Sequence, residues 1–371
     1  MQYDHSFRGI RGSWRGFFRC GQMVSERREN PSGSTINYIS ERGKEMKKFL
    51  KTLIAAAMAF SMAFGAVGCA AKQAAEAAGD DGNGLIKVGI INNDPNESGY
   101  RTANDRDMKA TFTEENGYDA SFYYSLKNED QIAAAQQFVQ DKVDYLLISA
   151  AGTSGWDSVL QDAKDAGIKV ILFDRTIDAD ESLYEASIVS DMAQEGQTAV
   201  DWLAGQNLDE YNIIHLQGVM GSSAQIGRSG ALQDMADANG NWNIVKQQTA
   251  EWNAETAQQI VQSVIDAGTE FNVIYAENDD MARGAVQALD AANISHGIGG
   301  DVIIMGFDCN SWALEELLAG NWNYDGQCNP FQASYIDDII KNGASEKVVI
   351  MEERGFDAAT ITQDDVNNYG I

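Results

Sequence analysis

Seven apolar runs in this sequence end in side chains suited to holding hydroxyl groups. Asn92 to Asn104 carries Glu97, Tyr100 and Arg101, and Ser149 to Trp156 ends on an indole. Asp174 and Arg175 follow a third run, and Gln217 to Arg228 a fourth. Glu251-Trp252, Glu277-Asn278-Asp279-Asp280 and Gly306-Phe307-Asp308 close the remaining three. A sugar hydroxyl both donates and accepts; carboxylates accept, guanidinium groups donate and primary amides do both. Arginine adds a planar fork that spans adjacent oxygens, and an aromatic face covers the C–H side of a sugar ring. Any one of these residues is ordinary, since Asp or Asn after a strand most often caps a helix. All seven together point to a polyhydroxylated ligand. Catalysis has less support. There is no G-x-S-x-G and no phosphate loop, and the aspartates have nearer Arg or Asn neighbours than the paired carboxylates of a glycosidase would. The 3 histidines are too far apart for a zinc site. No enzymatic activity, cofactor or metal is expected.

The elements that must position these groups alternate regularly. Strands are predicted over 86–91, 120–124, 145–148, 170–173, 213–216, 243–249, 271–275 and 302–305. Helices are predicted over 102–115, 129–141, 154–166, 192–204, 223–237, 254–267, 280–292 and 311–319. Continuous Val/Ile/Leu runs between helices mean parallel strands covered on both faces. Two successive sets predict an α/β chain of two doubly wound, Rossmann-like lobes, with ligand beyond the carboxyl ends of the strands. Asp279 is expected to cap helix 280–292, and Asp280 to face solvent.

The amino-terminal part reads as an address. Met46, Lys47, Lys48 and Lys51 precede an uncharged run of 16 residues, Leu53 to Gly68, that stops at Cys69. A basic start, a short apolar middle and small residues before a cut describe an export signal, too short for the ~20 residues that span a bilayer. Residues 1–45 precede that complete signal and are expected to be a non-native upstream extension. Residues 69–84 read as a tether. The chain has 27 basic and 55 acidic residues, a net charge of −28. From Cys69 onward the balance is 16 basic against 50 acidic. Such a surface argues against nucleic acid and against anionic lipid headgroups. Cys309 and Cys328 could form one disulfide in an exported chain.

From about Val88 to the carboxyl terminus the sequence resembles the type I periplasmic sugar-binding proteins, closest to the galactofuranose-binding receptors of ABC transporters. The resemblance rests on Glu97-Ser-Gly-Tyr-Arg-Thr-Ala-Asn104, Phe173-Asp-Arg-Thr176, Asp180-Glu-Ser-Leu-Tyr184, Leu216-Gln-Gly-Val-Met-Gly-Ser-Ser-Ala224, Tyr275-Ala-Glu-Asn-Asp-Asp-Met281 and Gln327-Cys-Asn-Pro330. It implies a monosaccharide gripped by Asp174, Arg175, Arg101 and Tyr100 from one lobe. Arg228, Asn278 and Asp308 complete the cage from the other, with Trp252 stacked on the sugar and Glu97 and Trp156 as further candidates. Ala66-Val67-Gly68-Cys69 resembles a lipobox, which implies lipidation of Cys69 and an extracytoplasmic, lipid-anchored protein. The resemblance further implies three crossings, near Ser190, Gln327–Cys328 and Ile350. The lobes would then be 85–190 plus 329–350 and 191–328 plus 351–371. A monomer delivering sugar to a permease is expected. A sensor feeding a chemoreceptor or histidine kinase is the alternative. A lactose-repressor-type regulator shares the fold but lacks its DNA-binding helices here. Tyr100 stands where close relatives carry Trp, and Cys309 where they carry Gly. Cys309 and Cys328 would fall near the hinge side of the cleft, where a disulfide is expected.

Overall fold

Residues 84–371 are described by a computed structural model. The export signal, Cys69, the upstream extension and the tether up to Asn83 lie outside the described residues. The first part of the chain runs β1 (Ile86–Asn92), α1 (Gly99–Thr111), β2 (Tyr118–Tyr124), α2 (Asn128–Gln140), β3 (Tyr145–Ile148), α3 (Asp157–Asp165), β4 (Lys169–Asp174) and β5 (Ala186–Val189). Then come α4 (Met192–Ala204), β6 (Tyr211–Gln217), α5 (Ser223–Ala238), β7 (Trp242–Thr249), α6 (Ala254–Asp266), β8 (Val273–Ala276), α7 (Asp279–Ala292), β9 (Ile303–Asp308) and α8 (Ser311–Leu318). The chain ends with β10 (Tyr324–Gln327), α9 (Ala333–Asn342), β11 (Val348–Ile350), β12 (Gly355–Asp357) and α10 (Gln363–Tyr369).

Two six-stranded sheets result, ordered β11-β5-β4-β3-β1-β2 and β12-β10-β9-β8-β6-β7. All pairings within them are parallel except β10 with β12. The inner strands are apolar on both faces: Leu146 and Leu147 of β3, and Ile213 and Ile214 of β6, are fully buried. Helices cover them with one apolar stripe each. In α6, Ala257, Ile260, Val261 and Val264 are buried at helical spacing, and Asn253 caps the first turn.

The chain passes between the sheets three times: after β5, between β10 and β11, and between β11 and β12. In each sheet the order turns back beside the first strand, between β1 and β3 and between β6 and β8. Loops leaving the strands there splay apart and open a crevice.

Elements β5, β10, β11, β12, α9 and α10 have no counterpart among the sequence predictions. The reason is physical. Strand β10 reads Tyr-Asp-Gly-Gln and owes its place to its neighbours, with Asp325 fully buried in it. Strands β11 and β12 are edge strands of 3 residues, too short for a periodic signal. The disulfide is also corrected: Cys309 and Cys328 are both free and buried. Cys309 packs in the core of the second sheet. Cys328 belongs to the same core, and its thiol faces the hydroxyl of Ser190, at 3.6 Å.

Candidate functional site

The carboxyl ends of the two sheets face each other across a cleft with about 300 Å³ of atom-free space. Glu97, Tyr100, Arg101, Asp174 and Arg175 line it from one side, and Arg228, Trp252, Asn278 and Asp308 from the other. Ser98 and Ala224 complete the wall.

Asp174 ends β4 with φ +64°, a left-handed turn that swings its carboxylate back over the sheet end. Its Oδ2 accepts from Arg101 Nη2 at 2.8 Å and from the Ser149 hydroxyl at 2.6 Å. Its Oδ1 accepts from the Tyr100 hydroxyl at 2.8 Å. Burial opposes the Asp174 charge. Arg101 and Arg175, aided by the two hydroxyls, more than offset it and hold the carboxyl below its ordinary pKa. Arg101 donates also to Asn92 Oδ1 at 2.8 Å and Ser149 Oγ at 3.2 Å, and its Nε, which has no hydrogen-bond partner, stands 3.6 Å from Glu97. Arg175 differs: its guanidinium makes one hydrogen bond, to the Ala150 carbonyl at 3.4 Å, and sits 5.8 Å from the centre of the Trp252 ring. Its Nε stands 3.6 Å from Asp174 Oδ2, and the remaining donors are free for a ligand. Burial pushes the Glu97 carboxyl upward, against the pull of Arg175 and Arg101.

On the opposite wall Arg228 donates from Nε to Glu195 Oε2 at 2.7 Å and lies 3.7 Å from Asp308. Burial raises the Asp308 carboxyl well above its usual range despite Arg228. Asn278 does double duty. Its Oδ1 caps α7 by accepting from the Met281 amide at 2.9 Å, and its Nδ2 points to the Trp252 carbonyl at 3.4 Å. Trp252 has φ +64°, and its buried Nε1 has no partner. The indole lies so close to Gly218 that a Cβ there would sit 1.9 Å from it.

Three expectations change. Trp156 is fully buried outside the cleft lining, in the core between β3 and α3, and its Nε1 donates to the Gly152 carbonyl at 2.9 Å. The loop after β3 turns it onto the sheet face. Trp156→Ala is expected to cost about 3–5 kcal/mol of stability by cavity formation and to leave ligand affinity of the folded fraction unchanged. Thermal melts and a titration on the same sample check this. Asp279 is not the cap, a role Asn278 takes; it is buried and accepts from the amide and side chain of Asn310. Asp280 does not simply face solvent, since it accepts from the Gly99 amide at 3.1 Å and pairs with Arg283.

That last contact crosses the cleft. Thr153 N–H also donates to the Gly221 carbonyl at 3.1 Å, and Thr176 N–H to Ser223 Oγ at 3.3 Å. The rims therefore touch. A Cβ on Gly99 would stand 1.7 Å from Oδ1 of Asn310, whose amide Asp279 holds. Gly99→Ala is expected to cost the closed form ~1–3 kcal/mol, the usual range for overpacking. Ligand affinity should then fall about 5- to 150-fold, while the melting temperature of the ligand-free protein stays put. Calorimetry on both states checks it.

Sequence reasoning placed Asn92, Asn104, Ser149 and Glu277 at strand ends without giving them a supporting role, and it missed Gln332 and Glu195. Asn104 donates to the Pro330 carbonyl and to Gln332, and Gln332 Nε2 donates to the Tyr100 hydroxyl. Glu195 did leave a signal. It is an acid on the buried stripe of α4, beside Met192, Ala199 and Leu203, and a buried acid needs a cation.

A family model described as "periplasmic binding protein domain" matches residues 88–336. The fructose import binding protein FruE of Bifidobacterium longum is 30% identical over 335 residues, covering 87% of this chain and 99% of that one. The galactofuranose-binding protein YtfQ of Escherichia coli is 32% identical over 220 residues, 58% of this chain and 69% of the relative. The arabinose-transporter binding protein of Shewanella sp. ANA-3, solved with α- and β-L-arabinofuranose, superposes with TM-score 0.68 at 27% identity, covering 76% of this chain and 93% of that one.

Proposed function

Because this chain belongs to the periplasmic binding protein family, we propose that it captures one monosaccharide in the cleft and hands it to an ABC-transporter permease. The observation that carries this reading is the pairing of Asp174 and Arg175 on one wall with Arg228, Asn278 and Asp308 on the other, over the Trp252 face. Acceptors and donors are interleaved around the cleft, and no nucleophile–base pair is among its lining residues. Asp174 accepts from ring hydroxyls through lone pairs its own partners leave, Arg175 donates to neighbouring oxygens, and Asp308 accepts. Trp252 packs on the apolar face. A sugar touching both walls favours the state in which the rims meet, by its differential contacts there. Hinge closure of this kind needs no chemistry on the ligand.

The finer reading is a sugar with a five-membered ring, galactofuranose or a related hexose or pentose. Binding proteins whose names specify galactofuranose and arabinofuranose support it. Cys69 is the lipid anchor of the mature protein, which works outside the cytoplasm, hanging by residues 69–84 as a monomer. The protein purified natively from its host and then denatured tests the ligand class directly. Gas chromatography of the released small molecule should identify a pentose or hexose. A stoichiometric amino acid or other non-carbohydrate overturns the reading.

A further inference from the structure

A second cavity, with about 480 Å³ of atom-free space, lies where the chain passes between the sheets. Glu195, Tyr324, Gln327 and Glu353 line it. Three groups from the three passages meet beside it: Glu195 in the first turn of α4 and Glu353 between β11 and β12, which line it, and Cys328 just after β10. One carboxylate oxygen from each glutamate and the Cys328 sulfur all lie within 4.8 Å of one another. Three buried oxygens that line the cavity have no hydrogen-bond partner: Glu195 Oε1, Tyr324 Oη and Gln327 Oε1. Glu195 is only 6% exposed, Tyr324 2% and Gln327 7%. Buried polar atoms are nearly always satisfied, so three orphans around one cavity call for a ligand that can satisfy them.

We propose that Glu195, Cys328 and Glu353 form a site for a divalent cation of the zinc class. One thiolate and two carboxylates suit a borderline-soft ion. At the usual ~2.0–2.2 Å to oxygen and ~2.3 Å to sulfur, tetrahedral ligands stand roughly 3.5 Å apart. The present spacing therefore closes with side-chain movements of about 1 Å. Glu195 Oε1 becomes a ligand. A water in the fourth position donates to Tyr324 Oη and Gln327 Oε1. Binding releases the Cys328 proton and the proton the two carboxyls share, and the ion's two charges compensate the thiolate and the Glu353 carboxylate; Glu195 keeps Arg228 as its partner, at 2.6 Å. Glu353 Oε1 also keeps the Ser190 hydroxyl and the Asn329 amide, at 2.6 and 2.7 Å.

The site would tie all three passages together. Through Glu195 and Arg228 it also touches the wall of the main cleft, so cation and cleft ligand should alter each other's affinity by the same factor.

Cobalt(II) chloride added to the reduced full-length protein tests the proposal. It should produce a thiolate-to-cobalt charge-transfer band in the near ultraviolet that zinc chloride abolishes in competition. Cys328→Ser should remove the band. Glu353→Gln, which retains the oxygen facing Ser190, should weaken zinc binding by more than the ~10-fold that loss of even an outer partner costs. Cys309→Ser should change neither, and circular dichroism confirms that each variant is folded. Absence of the band in folded protein, or its survival in Cys328→Ser, overturns the site and leaves two carboxyls sharing a proton only.

Discussion

Asp174→Ala should destabilise the sugar-free protein by about 3–5 kcal/mol, the cost of leaving a buried charge without its partner, and abolish sugar binding as well. Arg101 is 1% exposed and donates to Asp174 at 2.8 Å, and Tyr100 and Ser149 donate to the same carboxylate. Alanine removes the acceptor all three share and leaves Arg101 the neutral Asn92 and Ser149 and the more distant Glu97, at 3.6 Å. Urea melts of wild type and variant measure the loss, with calorimetry for the affinity. A variant as stable as wild type would mean that Asp174 serves the ligand alone. The pH sign follows from the same contacts. Because the folded carboxyl titrates lower than in the unfolded chain, its contribution is present above the ~3.9 of an unfolded aspartate. It fades as pH falls through the lower folded value. Acid, not base, releases this brace.

Arg175→Ala should behave in the opposite way. Its guanidinium makes one hydrogen bond to the protein and stands 3.6 Å from Asp174, but Arg101, Tyr100 and Ser149 still hold that carboxylate without it, so the stability loss should be well below that of Asp174→Ala. Two charge-assisted bonds to ligand, at ~1.5–3 kcal/mol each, vanish with it, and affinity falls at least ~150-fold. Calorimetry on the two variants side by side separates a residue that braces the wall from one that grips the ligand. Equal stability losses in both would refute the distinction.

Much of this was legible because a doubly wound sheet delivers its ligand groups at strand ends. Asp174, Arg175, Asn278 and Asp308 each follow a run of Val, Ile, Leu or Phe, and strand geometry brings them to one cleft. Trp156 shows the limit. It too follows a strand, but a residue or two of loop decides whether an indole faces the cleft or the sheet, and composition does not encode that choice. The bracing network was less legible because Asn92, Ser149 and Gln332 are unremarkable in type and meet only in three dimensions. Strand β10 stayed hidden because Asp325 and Gly326 carry no strand signal. The free cysteines share one core, with the Cys328 thiol turned to Ser190, an orientation that spacing along the chain does not reveal.

The central claim is that this cleft closes on a single monosaccharide. The most direct measurement is a thermal melt of the purified protein against galactofuranose, arabinose, ribose, fructose, galactose, glucose and xylose. A ligand that binds only the folded state adds about 2.7 kcal/mol at a hundred times its Kd. One sugar, or a closely related pair, should therefore raise the melting temperature by several degrees, and Arg175→Ala should erase that rise. A flat response to every sugar, from protein stripped of any carried ligand, would contradict the account.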